Sequence, residues 1–213
     1  CVSLLLLCAA TIFSKSTTAN ADDRYVKLCE RYFTEFAEDY GKFGQKDGFT
    51  YLYSDKKNTA TIVAIPMEQK KVAVPGKING KTVTKIELMD VFSCSSNYYF
   101  RDEFYGEHED NPVPKVEYLS IPKTVKVINI YAGIGLTEGY CGELQSYLVH
   151  LKKFNVASAN KWYRSYKGML YTKNGKKLLL VPRKYMAKTV KVKKGTTKIA
   201  DSAFSFCTNI KKV

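Results

Sequence analysis

The chain has 213 residues, of which 45% are hydrophobic and 25% are charged, and its formal net charge is +14. This composition is ordinary for one globular domain or two small ones, and it excludes a chain that is disordered throughout. Residues 1–13 are apolar, but a membrane-spanning helix needs about 20 such residues. Because the small residues 19–21 form a cleavage site before Asp22, residues 1–21 are predicted to be a partial secretory signal.

Two alternatives stay open for this first segment. It could be a membrane anchor, or a lipoprotein signal with Cys8 as the lipidated residue, although the bulky Leu7 disfavours the second. Because the chain begins at Cys1 and ends one strand short of a further repeat, it is interpreted as a fragment of a longer product. Removal of residues 1–21 takes away Lys15 and leaves a net charge of +14 minus one, or +13. No membrane span is predicted in the mature chain.

The positive charge is concentrated in the second half of the chain. From residue 142 to residue 213 there are seventeen basic residues, and only Glu143 and Asp201 are acidic. A surface of this kind attracts acidic glycans, teichoic-type polymers, nucleic acid or anionic lipid. The alternative is that the lysines simply keep a repeat surface soluble.

A helix is predicted first in the mature chain, from a cap at Asp22 and Asp23 to about Gly41. Aromatic and apolar residues recur along one side of it at helical spacing. Residues 22–44 are therefore predicted to cap the first unit of the fold, with an aromatic ligand groove as the alternative.

Two β-hairpins are predicted further along the chain. The first pairs residues 49–53 with 59–65 and is closed by Pro66. The second pairs residues 169–172 with 177–181 through an Asn-Gly turn and is closed by Pro182.

A repeated frame follows each hairpin and predicts a stacked, coil-by-coil fold. Each unit has two apolar positions separated by one residue, then an isoleucine, then a cysteine. The first apolar positions are Val72, Leu119 and Val190; the isoleucines are Ile86, Ile128 and Ile199; and the cysteines are Cys94, Cys141 and Cys207. Two insertions, between Cys94 and Leu119 and between Ile128 and Cys141, are candidate binding loops.

The mature chain keeps four cysteines, an even number that in an exported protein ordinarily suggests disulfides. Three of them share one position of the repeat, and the fourth is Cys29. Small apolar packing positions favour buried free thiols over bridges. No pair has the C-x-x-C spacing of a zinc site, so no metal is predicted.

Residues with catalytic side chains do not form a recognisable pattern. Residues 107–110 are Glu, His, Glu and Asp, but consecutive side chains seldom converge on one ion, so a solvated loop is predicted there. The two histidines, His108 and His150, have no recognisable nucleophile or acid partner. The chain is therefore predicted to be no enzyme and to need no cofactor.

Aromatic and basic residues alternate over residues 161–167, as they do on surfaces that bind sugars or single-stranded nucleic acid. Core packing beneath the second hairpin is the competing interpretation. Trp162, Tyr163 and Arg164 are kept as candidate partner-binding residues. Lys191 and Lys193 are further candidates, because they alternate with Val190 and Val192 and are expected to face outward.

With these motifs in place, residues 49–213 resemble the BspA-like leucine-rich repeats of bacterial surface proteins. The resemblance depends on TATIV, on residues 74–86 and 118–128, on the hairpin at 168–182, and on the closing IADSAFSFCTNIKKV. It implies a β-rich α/β solenoid, here an irregular leucine-rich repeat with an N-terminal capping helix and inserted β-hairpins. It also implies adhesion or protein and matrix binding without catalysis, and it supplies no fixed ligand residues.

The predicted function is that of a secreted or cell-surface binding solenoid whose partner is an extracellular protein, matrix or an acidic glycan. The alternative is the repeat segment of a larger exported enzyme, a protease or glycan hydrolase. An electrostatic binder of nucleic acid or membrane is a third class, and nucleic acid is disfavoured as a partner.

Overall fold

The computed structural model describes residues 42–88, 113–129 and 147–213. The regular elements within these ranges are strands and include no helix. They are β1 (Lys42–Lys46), β2 (Phe49–Ser54), β3 (Thr59–Ala64), β4 (Lys71–Ala73), β5 (Lys77–Ile78), β6 (Lys81–Ile86), β7 (Tyr118–Ile121), β8 (Val127–Ile128), β9 (Lys153–Val156), β10 (Tyr163–Tyr166), β11 (Met169–Thr172), β12 (Lys177–Leu180) and β13 (Lys198–Ile199). The β-rich part of the predicted fold class is confirmed.

The predicted capping segment is corrected at its end. Residues 42–44 belong to β1, which pairs antiparallel with β2, and not to a cap that ends at Gly44. Asp47 and Gly48 close this pair with φ angles of 51° and 79°, the left-handed geometry that Asp-Gly turns supply. The rest of the predicted helix lies outside the described residues, as do the signal segment, both long insertions and Cys29, Cys94 and Cys141.

Both predicted hairpins are confirmed, and each has one more strand than the sequence indicated. β2 pairs antiparallel with β3, and β1 lies on the other side of β2. In the second hairpin β11 pairs antiparallel with β12, and β10 lies on the other side of β11. The added strand β10 begins at Tyr163, so part of the aromatic and basic run is strand rather than loop.

The repeat frame forms a parallel sheet of three strands, β4, β7 and β9. Val72 pairs with Leu119, as the repeat predicts, and Leu119 pairs with Phe154. Phe154 marks a coil that the sequence reasoning missed, because an aromatic residue replaces the expected aliphatic one. All three side chains are buried, at 2%, 1% and 0% exposure, and they fill the interior in consecutive layers.

The strands of both hairpins also pair with strands of the repeat. The last strand of each hairpin pairs in parallel with the strand that carries the next isoleucine of the repeat. β3 pairs with β6, where Ile62 is opposite Ile86, and β12 pairs with β13, where Leu178 is opposite Ile199. Ile86 then pairs with Ile128 of the next coil. The two hairpins therefore start two similar blocks of one β-rich, coil-by-coil stack.

Two buried clusters correspond to these blocks. The larger one runs from Phe49 to Leu180, and the smaller one surrounds Met169, Tyr171 and Val190. In each block a buried hairpin tyrosine bonds to the following turn. The Tyr51 hydroxyl accepts from Asn79 Nδ2 at 2.5 Å, and the Tyr171 hydroxyl accepts from the Lys193 amide at 3.1 Å. This equivalence supports a repeated module.

Candidate binding surfaces

The outward side of the β4–β7–β9 sheet presents two short rows of side chains. Because side chains alternate across a strand, the residues that flank the buried Val72, Leu119 and Phe154 point outward. The strand register places these outward residues side by side. The first row is Lys71, Tyr118 and Lys153, and the second is Ala73, Ser120 and Asn155.

The second row forms the floor of a shallow depression. Its volume is about 470 Å³, and its lining includes Lys71, Tyr118, Ser120 and Asn155. A second depression of about 310 Å³ shares Ser120 and Asn155 and continues toward Pro122. Small side chains in the middle of the face therefore leave room between longer ones at the start of the strands.

The polar side chains in the second row of this face make no hydrogen bond within the part of the chain that the structure describes. No hydrogen bond engages the Ser120 hydroxyl or the Asn155 carboxamide there, whereas the Lys71 ammonium lies 6.0 Å from the centroid of the Tyr118 ring. Unengaged donors and acceptors beside an aromatic ring are suited to a macromolecular partner. We call these six residues, Lys71, Ala73, Tyr118, Ser120, Lys153 and Asn155, the sheet face.

Sequence reasoning missed the sheet face, because it followed the buried apolar residues of the repeat and not the residues that flank them. The positions of these residues in the repeat could nonetheless have indicated the face. Each residue occupies a position adjacent to a repeat apolar residue, and recognition of the Phe154 coil would have aligned all three strands.

A buried asparagine joins two consecutive coils beside this face. Asn160 is 0% exposed, and its Nδ2 donates to the carbonyls of Pro122 and Val125, each at 2.9 Å. Its Oδ1 accepts from the amides of Trp162 and Tyr163, each at 2.8 Å. The side chain thus makes four hydrogen bonds and fixes where the chain leaves the turn for β10.

The three candidate residues of the aromatic and basic run differ in their exposure and contacts. Trp162 is 39% exposed, and the Lys126 ammonium lies 5.5 Å from the centroid of its ring. Tyr163 is half-buried, and its hydroxyl accepts from the Ile128 amide at 3.1 Å, so it packs against the neighbouring coil. Arg164 is half-buried in β10, where it is opposite Tyr171, and its buried Nε has no partner in the described ranges. Trp162 is the most accessible of the three.

The expected alternation over residues 190–193 is wrong in part. Val190 is buried and Lys191 is exposed, as predicted, but Val192 is 37% exposed and Lys193 is half-buried. The reason is that this segment forms only an isolated bridge, between Thr189 and Lys212, and not a paired strand. The Lys193 side chain instead lies across Gly175, where an added Cβ would stand 2.9 Å from its Cδ.

Cys207 is a free thiol and is half-buried, whereas the repeat phase predicts a buried one. It donates to the carbonyls of Val181 and Pro182 at 3.5 and 3.6 Å. Burial raises the pKa of this thiol to about 11, against a smaller lowering by Arg183. Since the thiolate is the reactive form, Cys207 is suited to packing and not to nucleophilic chemistry.

Four carboxylates in the described ranges take part in ion pairs: Asp55, Glu68, Glu87 and Glu117. Glu87 is buried, and it accepts from Lys85 Nζ at 2.6 Å and from Asn129 Nδ2 at 2.9 Å. Asp55 bonds to Lys81 and Lys42, and these hydrogen bonds lower its pKa to about 2. No group of three or more His, Cys, Asp or Glu residues that could hold a metal occurs among residues 42–88, 113–129 and 147–213.

The predicted acidic loop at residues 107–110 lies outside these ranges. No helix within them is long and apolar enough to cross a membrane.

No family model matches the chain, and no curated protein matches it in sequence. Three solved structures are similar to it at low identity. A leucine-rich repeat protein from Eubacterium ventriosum ATCC 27560 has a TM-score of 0.39 and 16% identity, over 80% of this chain and 59% of that one. The pneumococcal vaccine antigen PcpA has a TM-score of 0.31 and 14% identity, over 77% of this chain and 62% of that one. A leucine-rich cell-surface protein from Faecalibacterium prausnitzii A2-165 has a TM-score of 0.37 and 14% identity, over 83% of this chain and 31% of that one. The chain thus spans less than two thirds of each of these proteins.

Proposed function

We propose that this chain is a non-catalytic binding protein of the leucine-rich repeat type, which recognises a macromolecular partner at the cell exterior through its sheet face. The observation that carries the proposal is the pair of outward rows on the parallel sheet, with the unengaged polar groups of Ser120 and Asn155 at their centre. The partner is an extracellular protein, a matrix component or an acidic glycan. Export is proposed from residues 1–21, which have the pattern of a secretory signal.

The chemistry of the face supports binding over catalysis. Its members are lysines, a tyrosine and small or amide side chains, and they include neither an acid nor a histidine. A rigid parallel sheet holds them in fixed register, so little conformational entropy is lost when a partner is bound. Interfaces of this kind use an aromatic anchor surrounded by polar contacts, and Tyr118 is suited to be the anchor.

The test compares two variants with the same chemical change. Ala73→Arg places a long cation in the depression of the sheet face, whereas Ala187→Arg places one at an exposed position outside the strands. Residues 22–213 and both variants are measured against immobilised extracellular matrix proteins and purified cell-wall polymers at physiological salt. We expect at least one of these to bind, and its affinity to fall about tenfold or more in Ala73→Arg only, because an arginine that blocks the depression costs roughly 1.4 kcal/mol or more.

Absence of binding to every member of the panel would refute the proposal. An equal loss of affinity in both variants would also refute it, since the sheet face would then have no special part.

A further inference from the structure

A second surface, distinct from the sheet face, lies at one end of strands β10–β13 and the turn before β8. We call it the lysine edge. It is defined by six lysines and one tryptophan: Lys126, Lys161, Lys173, Lys176, Lys193, Lys194 and Trp162.

The first part of the lysine edge is assembled around Trp162. The Lys126 ammonium lies 5.5 Å from the centroid of the indole ring. The Lys173 amide donates to the Trp162 carbonyl at 2.8 Å, and its Nζ donates to the Ser158 carbonyl at 2.6 Å. The Lys126 ammonium therefore lies beside the indole ring, the backbone of Lys173 is bonded to that of Trp162, and the exposed Lys161 precedes Trp162 in the chain.

The second part is the β11–β12 turn and the loop that packs on it. Gly175 has a φ of 71°, and the Lys193 side chain lies across it. The Lys176 carbonyl accepts from the Thr197 and Lys198 amides, at 2.8 and 3.0 Å. Backbone hydrogen bonds thus hold the two segments together, so that their lysines are neighbours.

One residue of this loop borders open space within the described ranges. Gly195, which follows Lys194 in the same loop, has no atom within 4 Å of where a Cβ would stand. A bound polymer could therefore approach the loop without displacing protein atoms.

No ion pair within the described ranges involves a lysine of the lysine edge. The ion pairs of the described ranges involve other lysines, at positions 42, 70, 81, 85, 115 and 152. Between residues 147 and 213 the only acidic residue is Asp201, which follows the opposite end of β13. Adjacent strands are about 4.8 Å apart, so four strands spread these charges over roughly 14 Å. The Debye length at physiological salt is about 8 Å, so neighbouring lysines act jointly on one polyanion.

We propose that the lysine edge is a binding site for a linear acidic polysaccharide that carries sulfate or carboxylate groups. The cations compensate the charged groups, and the Trp162 ring offers an apolar surface to a sugar ring. Single-stranded nucleic acid is a poorer match, because it stacks successive bases on several aromatic side chains, and Trp162 is the one aromatic member of the edge. Lysine also recognises an anion as a point charge and without the two-pronged geometry of arginine, which suits a polymer of variable substitution.

The experiment measures the affinity of residues 22–213 for heparin, as a sulfated glycan, and for hyaluronan, as a carboxylated one, at low and at physiological salt. An oligothymidylate is the nucleic-acid probe. The test variant is K173Q/K176Q/K194Q. Its matched control, K46Q/K56Q/K57Q, removes the same charge from exposed lysines of the first block. Thermal unfolding verifies that both variants are folded.

We expect binding of at least one glycan, which weakens about tenfold or more in the test variant and less than about twofold in the control. Equal weakening in both variants, no binding of either glycan, or tighter binding of the oligothymidylate would overturn the proposal. The Ala73→Arg variant separates this result from the proposed function, since it alters the sheet face and leaves the lysine edge unchanged.

Discussion

Replacement of Asn160 by alanine should strongly destabilise the fold. The substitution removes four hydrogen bonds, to two carbonyls and two amides of consecutive coils. A buried backbone group that loses its partner costs about 1–3 kcal/mol. The bonds to the Trp162 and Tyr163 amides and to the Pro122 carbonyl are partly buried, so these groups can regain water in part. The Val125 carbonyl is fully buried and therefore makes the largest contribution to the loss. We expect the free energy of unfolding to fall by about 3–5 kcal/mol, at the upper end of what single substitutions cause.

Urea denaturation of residues 22–213, followed by far-ultraviolet circular dichroism, measures this change. Asn155→Ala is the matched control, because the same truncation on the sheet face removes no hydrogen bond within the described ranges, and it should change stability by less than about 0.5 kcal/mol. A loss below about 1 kcal/mol in Asn160→Ala would show that the asparagine does not hold the coils together. A comparable loss in Asn155→Ala would contradict the assignment of that residue to an unengaged surface.

Three further predictions concern single residues. Hydrogen bonds from Lys81 and Lys42 lower the pKa of Asp55 to about 2 from 3.8, so the stability that this carboxylate contributes is complete above the unfolded-state pKa and is lost as the pH falls toward 2. Asp55→Asn should therefore flatten that part of the curve of unfolding free energy against pH. An unchanged curve would contradict the pairing. Burial raises the pKa of Cys207, so residue-resolved mass spectrometry should find slower alkylation by iodoacetamide in the native protein than in urea, and equal rates would mean an exposed thiol. Phe154→Ala empties a fully buried layer and should cost about 3–5 kcal/mol in urea denaturation, whereas a cost under about 1 kcal/mol would place the side chain outside the core.

The parts of the fold that follow local rules could be predicted from the sequence. Alternating apolar residues bounded by Asn-Gly and proline predict the second hairpin, and the equal spacing around Val72 and Leu119 predicts their parallel pairing. Such signals lie within a few residues of one another, so tertiary context changes them little.

The remaining parts depend on which coil lies next to which, and the sequence specifies this weakly. The aromatic Phe154 is one reason why its coil escaped notice. A second reason is that Asn160 stands where the preceding coil has Val125, so a polar residue interrupts the apolar frame. That interruption is compatible with burial only because the carboxamide makes all four of its hydrogen bonds, two to carbonyls of the preceding coil and two to amides of its own coil. A single sequence cannot indicate that its partners will be in the correct positions.

Asn160 also connects the two proposed surfaces. Through the Pro122 and Val125 carbonyls it sets the distance between coils whose strands, β7 and β9, carry Ser120 and Asn155 of the sheet face. Through the Trp162 amide it fixes the aromatic member of the lysine edge. Loss of this side chain should therefore weaken binding at both surfaces, even at temperatures where the variant remains folded. Ala73→Arg and K173Q/K176Q/K194Q should each affect one surface alone, so the three variants together distinguish a shared support from two independent sites.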